Sequence, residues 1–213
     1  MEARPDIGDD FRVQKARIAD YLTAYGADVD RVLEIACGTG EFTAMAAELT
    51  KAGRIVATDI SEHALRRAGA RVDHPGLELV QGDFWTDDTP APAPLVMCVD
   101  AIHHLGDVRQ VLKRMSELVE PGGTFIGNLW TLDNFHEYQR SRNGPVGHLG
   151  RCALFLANAL AMNVSRGRLR WASYRTQLLR SRQVEPLLRE TFDEVLDVTA
   201  TRYFVAFACR RAG

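Results

Sequence analysis

The strongest constraint on this chain is the stretch Val32-Leu33-Glu34-Ile35-Ala36-Cys37-Gly38-Thr39-Gly40. Val32 to Ala36 is a short apolar run with β-branched residues, interrupted only by Glu34. A run of that length ending in glycines reads as a buried strand rather than a helix. After Gly40 the chain turns to helix formers: Glu41, Ala44, Met45, Ala46, Ala47, Glu48 and Leu49. Strand, glycine turn and helix together open an α/β nucleotide-binding unit. The glycines admit a ligand close to the backbone, and the helix start turns its free N–H groups toward it.

The turn alone does not choose the ligand, because dinucleotide-binding folds carry a similar one. Two details narrow it. The third glycine of the dinucleotide fingerprint is missing, since the chain continues Glu41-Phe42-Thr43. Glu34 also sits inside the strand, where a carboxylate needs a cationic partner or strong donors. A neighbouring arginine or backbone N–H supplies one answer, and the ammonium of an amino-acid-like cofactor supplies the other. Glu34-Ile35-Ala36-Cys37-Gly38-Thr39-Gly40 resembles the first motif of the class I S-adenosylmethionine (SAM)-dependent methyltransferases.

The chain downstream keeps the same order. Arg54 to Asp59 reads as a second strand ending in an acid, nineteen residues after Gly40. A carboxylate there suits both hydroxyls of a ribose. Ser61 is placed to cap a helix over 62–71, and Leu77 to Gln81 reads as a third strand. Gly82-Asp83-Phe84-Trp85 follows it. Leu95 to Val99 is a fourth, wholly apolar strand, as befits the centre of a parallel sheet. Asp100-Ala101-Ile102-His103-His104-Leu105 leaves its end. Asp107 then caps a helix whose Val108, Val111, Leu112, Met115, Leu118 and Val119 share one face. Leu118 to Phe125 follows a Leu-x-x-Pro-Gly-Gly-x-Phe pattern that also resembles the family, and leads into a fifth strand over 124–130. A helix at 183–190 precedes two adjacent strands, 192–200 and 203–209, joined near Thr201-Arg202. A dinucleotide domain would continue with βα units instead, so this closing hairpin favours the methyltransferase resemblance.

The resemblance covers 32–130 and the hairpin. It implies a doubly wound α/β fold: a seven-stranded, mostly parallel sheet of order 3-2-1-4-5-7-6 with strand 7 antiparallel, plus a helical cap insertion. It implies SAM as cofactor. Glu34, Cys37, Gly38 and Gly40 would surround the methionine part, Asp59 would hold the ribose with Ile60 beside it, and Asp83 and Phe84 would hold the adenine. Asp100 falls where the family meets the cofactor's amino group through backbone carbonyls. The methyl donor is already activated, so a base is needed only for an acceptor that must lose a proton. His103 and His104 are the candidates, His104 for the position facing the acceptor, with a packing role as the alternative for either. His136 and His148 rank behind them. The Asn-Pro-Pro-Tyr motif of amino-methyltransferases acting on nucleobases or glutamine is absent after the fourth strand.

Two segments lie outside that core. A helix over 9–25, capped by Asp9 or Asp10 and ended by Gly26, presents Phe11, Ile18, Leu22 and Tyr25 on one face. Leading helices in this family often close over the cofactor, which makes Tyr21 and Tyr25 candidate gate residues. Residues 131–182 are far longer than an ordinary connection. Helix formers fill their middle, and nine arginines against Asp133 and Glu137 give +7, leaving −9 for the rest of a chain of net charge −2. Such a cap is expected either to present a solvated face or to bind an acidic, partly apolar acceptor.

One methyltransferase domain over 1–213 is therefore expected: helix 1–27, SAM-binding core 28–130, cap 131–182, and helix plus hairpin 183–213. At 46% hydrophobic and 25% charged residues the chain is an ordinary globule. The small net charge gives no field for nucleic acid, so no nucleic-acid partner is expected. Four scattered cysteines form no zinc motif and fit a reducing compartment. No apolar run nears the ~20 residues of a membrane span, and no secretory core opens the chain, so a cytoplasmic location is expected. The expected activity is methylation of a small molecule, O-methylation foremost, suited to specialised metabolism and without an appended nucleic-acid module. The alternatives are RNA methylation through the arginine-rich cap, an NAD-dependent oxidoreductase, and a non-catalytic SAM-binding partner. The apolar cap and leading helix are candidate homodimer surfaces.

Overall fold

A strand buried on both sides needs neighbours on both sides, and β1 (Arg31–Ile35) is such a strand, with Val32, Leu33, Glu34 and Ile35 all buried. In the computed structural model it lies between β2 (Arg54–Asp59) and β4 (Ala93–Cys98), parallel to each. The structure describes residues 5–86, 90–134 and 178–213, together with 146, 147, 149, 150, 153 and 157. β3 (Leu77–Gln81) extends the sheet beyond β2, and β5 (Val119–Trp130) beyond β4. β7 (Phe204–Arg210) runs antiparallel to β5, and β6 (Glu194–Ala200) closes the edge antiparallel to β7. The order is β3-β2-β1-β4-β5-β7-β6, the order that the methyltransferase resemblance implied.

Alternation along the strands feeds two cores. Leu33, Val96, Phe125 and Phe207 point to one face, where α4 (Val108–Leu118) and α5 (Ser181–Thr191) cover them. Val32, Ile55, Leu95, Met97 and Ile126 point to the other, beneath α1 (Pro5–Tyr21) and α2 (Glu41–Leu49). α3 (Glu62–Arg71) seats Leu65 against Ala57 and Cys37. Asp107 caps α4 through the Gln110 N–H and Ser61 caps α3 through the Ala64 N–H. Val108, Val111, Leu112, Met115 and Leu118 are the buried stripe of α4. Each such side chain contributes about 1.5–3 kcal/mol on burial.

Several expectations change in the structure. α1 begins at Pro5, upstream of both proposed caps, and ends in a single wide turn, Leu22–Gly26. Asp10 is a staple rather than a cap. Its buried carboxylate accepts hydrogen bonds from Thr201 Oγ1 (3.0 Å), the Arg202 N–H (3.1 Å) and the Tyr203 N–H (3.2 Å), tying α1 to the β6–β7 turn. Tyr21 is not a gate. Its ring is 3% exposed in the core with Ile18 and Leu22, and its hydroxyl donates to Asp197 of β6. Burial, reinforced by that carboxylate, pushes the phenol upward. Tyr25 packs against the same core, 6.3 Å from the Tyr21 ring.

β4 starts two residues earlier than expected, at Ala93. β5 starts at Val119 because Val119 pairs with Ala93 before the chain bulges and resumes pairing at Leu95–Thr124. Gly122, at φ +79°, turns within that bulge. The two ends of the 131–182 segment meet: Thr131 bridges Leu179, and the Leu132 N–H donates to the Leu179 carbonyl at 2.7 Å. Asp133 accepts the Ser181 N–H at 2.6 Å, holding the start of α5, and that bond keeps its carboxyl below the usual range. Of the cap, Glu137, Arg140, Arg142, Arg151, Arg166, Arg168, Arg170, Arg175, His136, His148 and Cys152 lie outside the described residues, as does most of its middle. The expected helices there are therefore not among the elements above.

Candidate functional site

The sheet reverses its direction of build between β1 and β4, and ligands of open α/β sheets bind beyond the strand ends at such a point. The backbone there is unusual. Ala36 (φ +57°), Gly38 (φ +55°), Gly40 (φ +76°) and, across the gap, Asp100 (φ +58°) are all left-handed. The two glycines serve different needs. A Cβ on Gly40 would lie 2.8 Å from Cα and Cβ of Ala68, so Gly40 lets the turn press against α3. A Cβ on Gly38 would meet nothing within 4 Å. Gly38 therefore opens onto the crevice.

Acidic groups surround this turn. Glu34 is 2% exposed, and Thr43 on α2 donates to its Oε2 at 2.5 Å. Burial, with Asp59 adding to it, raises the Glu34 carboxyl to about 8. Thr43 is the donor that the strand position demanded. Cys37 is a buried free thiol pushed upward by the same burial and by Glu34 and Asp59. Asp59 accepts the Gly38 N–H through Oδ2 and the Ser61 N–H through Oδ1, each at 2.8 Å. It thus braces the glycine turn from the end of β2. Ile60, next to it, is 66% exposed, a large apolar side chain left at the mouth.

Beyond β3, Ile35, Thr58, Val80, Gly82, Asp83, Phe84 and Pro90 line a hollow at the strand ends. Asp83 is exposed and accepts the Trp85 N–H through Oδ1 at 2.9 Å. Phe84 meets Trp85 edge to face at 4.9 Å, with the Arg114 guanidinium 5.4 Å from the Phe84 ring centre. Trp85 Nε1–H donates to the Leu105 carbonyl at 2.6 Å, joining this loop to the histidine turn.

That turn, Ile102–His104, separates the two histidines. His103 is 2% exposed, stacks on Trp130 with ring centres 6.0 Å apart, and faces the Trp130 N–H through Nδ1 at 3.5 Å. Burial, then His104, lowers it to about 3, so it is neutral. His104 is exposed, and partial burial of its ring lowers it below the usual histidine range.

Asp100 has its carboxylate turned into the protein. Its Oδ1 accepts from Gln14 Nε2 at 2.9 Å and from Asn128 Nδ2 at 3.0 Å, while its N–H donates to Asn128 Oδ1 at 2.6 Å. Burial outweighs those bonds and raises it to about 6. Gln14, Asn128, Thr43 and Trp85 were absent from the expected site. Two of them left a trace in the sequence. Gln14 interrupts the apolar stripe of α1 four residues before Ile18, and Asn128 interrupts the apolar run of β5; both are fully buried.

Residues 32–123 match the family model described as "Methyltransferase domain". The N-methyltransferase NodS of Bradyrhizobium japonicum, crystallised with S-adenosyl-L-homocysteine (SAH), superposes with a TM-score of 0.64 at 16% identity, over 96% of this chain and 88% of that one. The fold is that of the class I SAM-dependent methyltransferases. An uncharacterized methyltransferase of Mycobacterium tuberculosis is 35% identical over 94 residues, 44% of this chain and 47% of that protein. The mouse mitochondrial arginine-hydroxylase NDUFAF5 is 27% identical over 126 residues, 59% of this chain and 36% of that protein. The chain thus matches less than half the length of these two curated relatives.

SAM is the cofactor of this methyltransferase fold, and the residues present fit it. A Cβ on Gly38 would enter open space beside the turn, which leaves room for a ligand there. Asp59 beside the turn, with the buried carboxyls of Glu34 and Asp100 behind it, suits a cationic ligand, and the exposed Ile60 and half-buried Phe84 suit a flat base. Among the described residues no cluster of histidine, cysteine and acids is placed to hold a metal ion. No helix among them is long and apolar enough to cross a membrane.

Proposed function

We propose that the protein transfers the methyl group of SAM to a small-molecule acceptor, with a hydroxyl as the receiving group. SAM supplies an electrophilic methyl carried on a sulfonium. The chain supplies alignment, exclusion of water and, at one atom, a proton acceptor. Glu34, Cys37, Gly38 and Gly40 hold the methionine end, Asp59 takes the ribose hydroxyls, Ile60 and Phe84 flank the adenine, and Asp83 accepts from its amino group. Each oxygen of the Asp59 carboxylate is already braced by one N–H, so its remaining lone pairs are presented to the ribose hydroxyls without rearrangement. Asp100 acts through its backbone, its carboxylate being spent on Gln14 and Asn128. His104, exposed and held neutral, takes the acceptor proton; His103 packs beneath it as the buried neighbour, ring centres 4.0 Å apart.

The observation carrying this proposal is the Gly38 opening braced by Asp59 at the β1–β4 switch point. The small-molecule acceptor is favoured by a chain of net charge −2, which gives no general field for a polyanion. The test is transfer of label from methyl-labelled SAM into a fractionated extract of the source organism, with and without nuclease. Label in a small, nuclease-resistant product is expected. Label in nuclease-sensitive material would assign the arginine-rich segment to RNA and refute the small-molecule acceptor.

A further inference from the structure

α1 spans the crevice at one place. Gln14 reaches Asp100 at the end of β4, and the next residue, Lys15, pairs with Glu41, the first residue of α2 after the glycine turn. The helix is thereby pinned to both walls of the switch point. The Gln14 side chain is 0% exposed, and its orientation is dictated by its partner. A carboxylate oxygen that already faces the Asn128 amide accepts only, so Gln14 must turn its NH2 toward Asp100. Its carbonyl then faces away, and Gln14 Oε1 accepts no hydrogen bond among the described residues. A buried amide oxygen without a donor costs about 1–3 kcal/mol, so its position calls for a ligand that donates.

The surroundings select the donor. Glu34 and Asp100 flank Cys98, and after burial they are the two groups that push its thiol upward. Glu41 lies close enough to Asp100 to act on it electrostatically. Lys15, the next residue on α1, is engaged with Glu41. An acidic wall with a lone carbonyl acceptor fits a small cation bearing N–H groups. We infer that Gln14 is a cofactor-binding residue: its Oε1 accepts an N–H from the α-ammonium of SAM, with Asp100 and Asn128 fixing the amide for that task. This deepens the methyltransferase proposal above and rests on it. It also gives the interrupted apolar stripe of α1 a purpose, because a leucine at position 14 would satisfy packing alone.

The test compares SAH with its analogue lacking the α-amino group, each titrated calorimetrically against the intact wild-type chain and Gln14→Leu. In the wild type, loss of the amino group is expected to weaken binding by about 10–100-fold, the range of a charge-assisted hydrogen bond. In Gln14→Leu, SAH weakens by a similar factor while the analogue binds within about threefold of its wild-type affinity. An equal penalty for the missing amino group in both proteins overturns the inference and leaves the cofactor assignment standing. Failure of SAH to bind the wild type overturns both. Should Gln14→Leu fail to fold, the wild type answers instead. With [15N]glutamine labelling, the Gln14 side-chain amide resonance is expected to shift with SAH and not with the analogue; the same shift with both overturns the inference.

Discussion

Gly38→Ala and Gly40→Ala make a pair that separates ligand space from packing space. Both glycines sit at positive φ, +55° and +76°, where an L side chain costs about 1–2 kcal/mol. For Gly38 that is the whole structural penalty, since the new methyl meets nothing within 4 Å. At roughly 2–4 °C per kcal/mol for a chain of this size, its melting point should fall by about 2–8 °C. For Gly40 the methyl also lands 2.8 Å from the Cα and Cβ of Ala68. Backbone of α3 cannot step aside as a flexible side chain would, so overpacking adds about 1–3 kcal/mol. The combined loss of about 2–5 kcal/mol corresponds to a drop of about 4–20 °C. Ligand binding should divide them the other way. In Gly38→Ala the methyl enters the cofactor cradle, so SAH affinity falls tenfold or more in a protein that stays folded. Thermal unfolding with and without saturating SAH reads both quantities, because a ligand at 100 times its Kd adds about 2.7 kcal/mol. Wild-type SAH affinity in Gly38→Ala, or a Gly40→Ala no less stable than Gly38→Ala, would refute the reasoning.

Three further outcomes are expected. Asp10→Ala strips the β6–β7 turn of a carboxylate accepting three hydrogen bonds and should cost about 2–4 kcal/mol in denaturant unfolding; a loss under 0.5 kcal/mol contradicts the staple. SAH should bind more tightly as pH rises from 6.5 toward Glu34's raised value of about 8, because the cofactor ammonium favours the ionised carboxyl and binding must expel its proton below that pH; Glu34→Gln should flatten the profile. In the protein without ligand the same raised value has the opposite sign: the carboxyl's stabilising contribution is complete below about 4.5 and is lost as pH rises through about 8. His104→Gln should lower kcat by about 100-fold or more with the melting point unchanged, whereas His103→Ala, which empties a buried ring site against Trp130, should cost about 2–4 kcal/mol of stability.

The sheet was legible because its strands announce themselves: β1 ends in glycines, β4 is apolar throughout, and β6 and β7 are too close together for a crossover helix. The fine bounds were not, since the β4 start at Ala93 depends on a partner, Val119, that belongs to another segment. The grouping of the candidate cofactor residues at the strand ends was legible for the same local reason. Asp59, Asp83 and the glycine turn each stand at a strand end, where sequence position and spatial position coincide. What escaped were long-range partnerships. Asp10 looks like a helix cap until the hairpin 191 residues away folds onto it. Tyr21 looks like a gate until Asp197 claims its hydroxyl. Gln14, Asn128 and Asp100 are separate in the chain and meet only once α1 lies across β4 and β5. The histidine pair is a middle case: adjacency placed both in one turn, and the inward aspect of His103 follows from burial that sequence spacing does not reveal.

The most direct test of the central claim is a calorimetric titration of the intact chain with SAH, in competition with NAD, repeated on Asp59→Ala. One SAH per chain, unaffected by NAD and weakened tenfold or more by Asp59→Ala, is the predicted result. Displacement of SAH by NAD, or SAH affinity indifferent to Asp59, would contradict a SAM site built on the braced glycine turn.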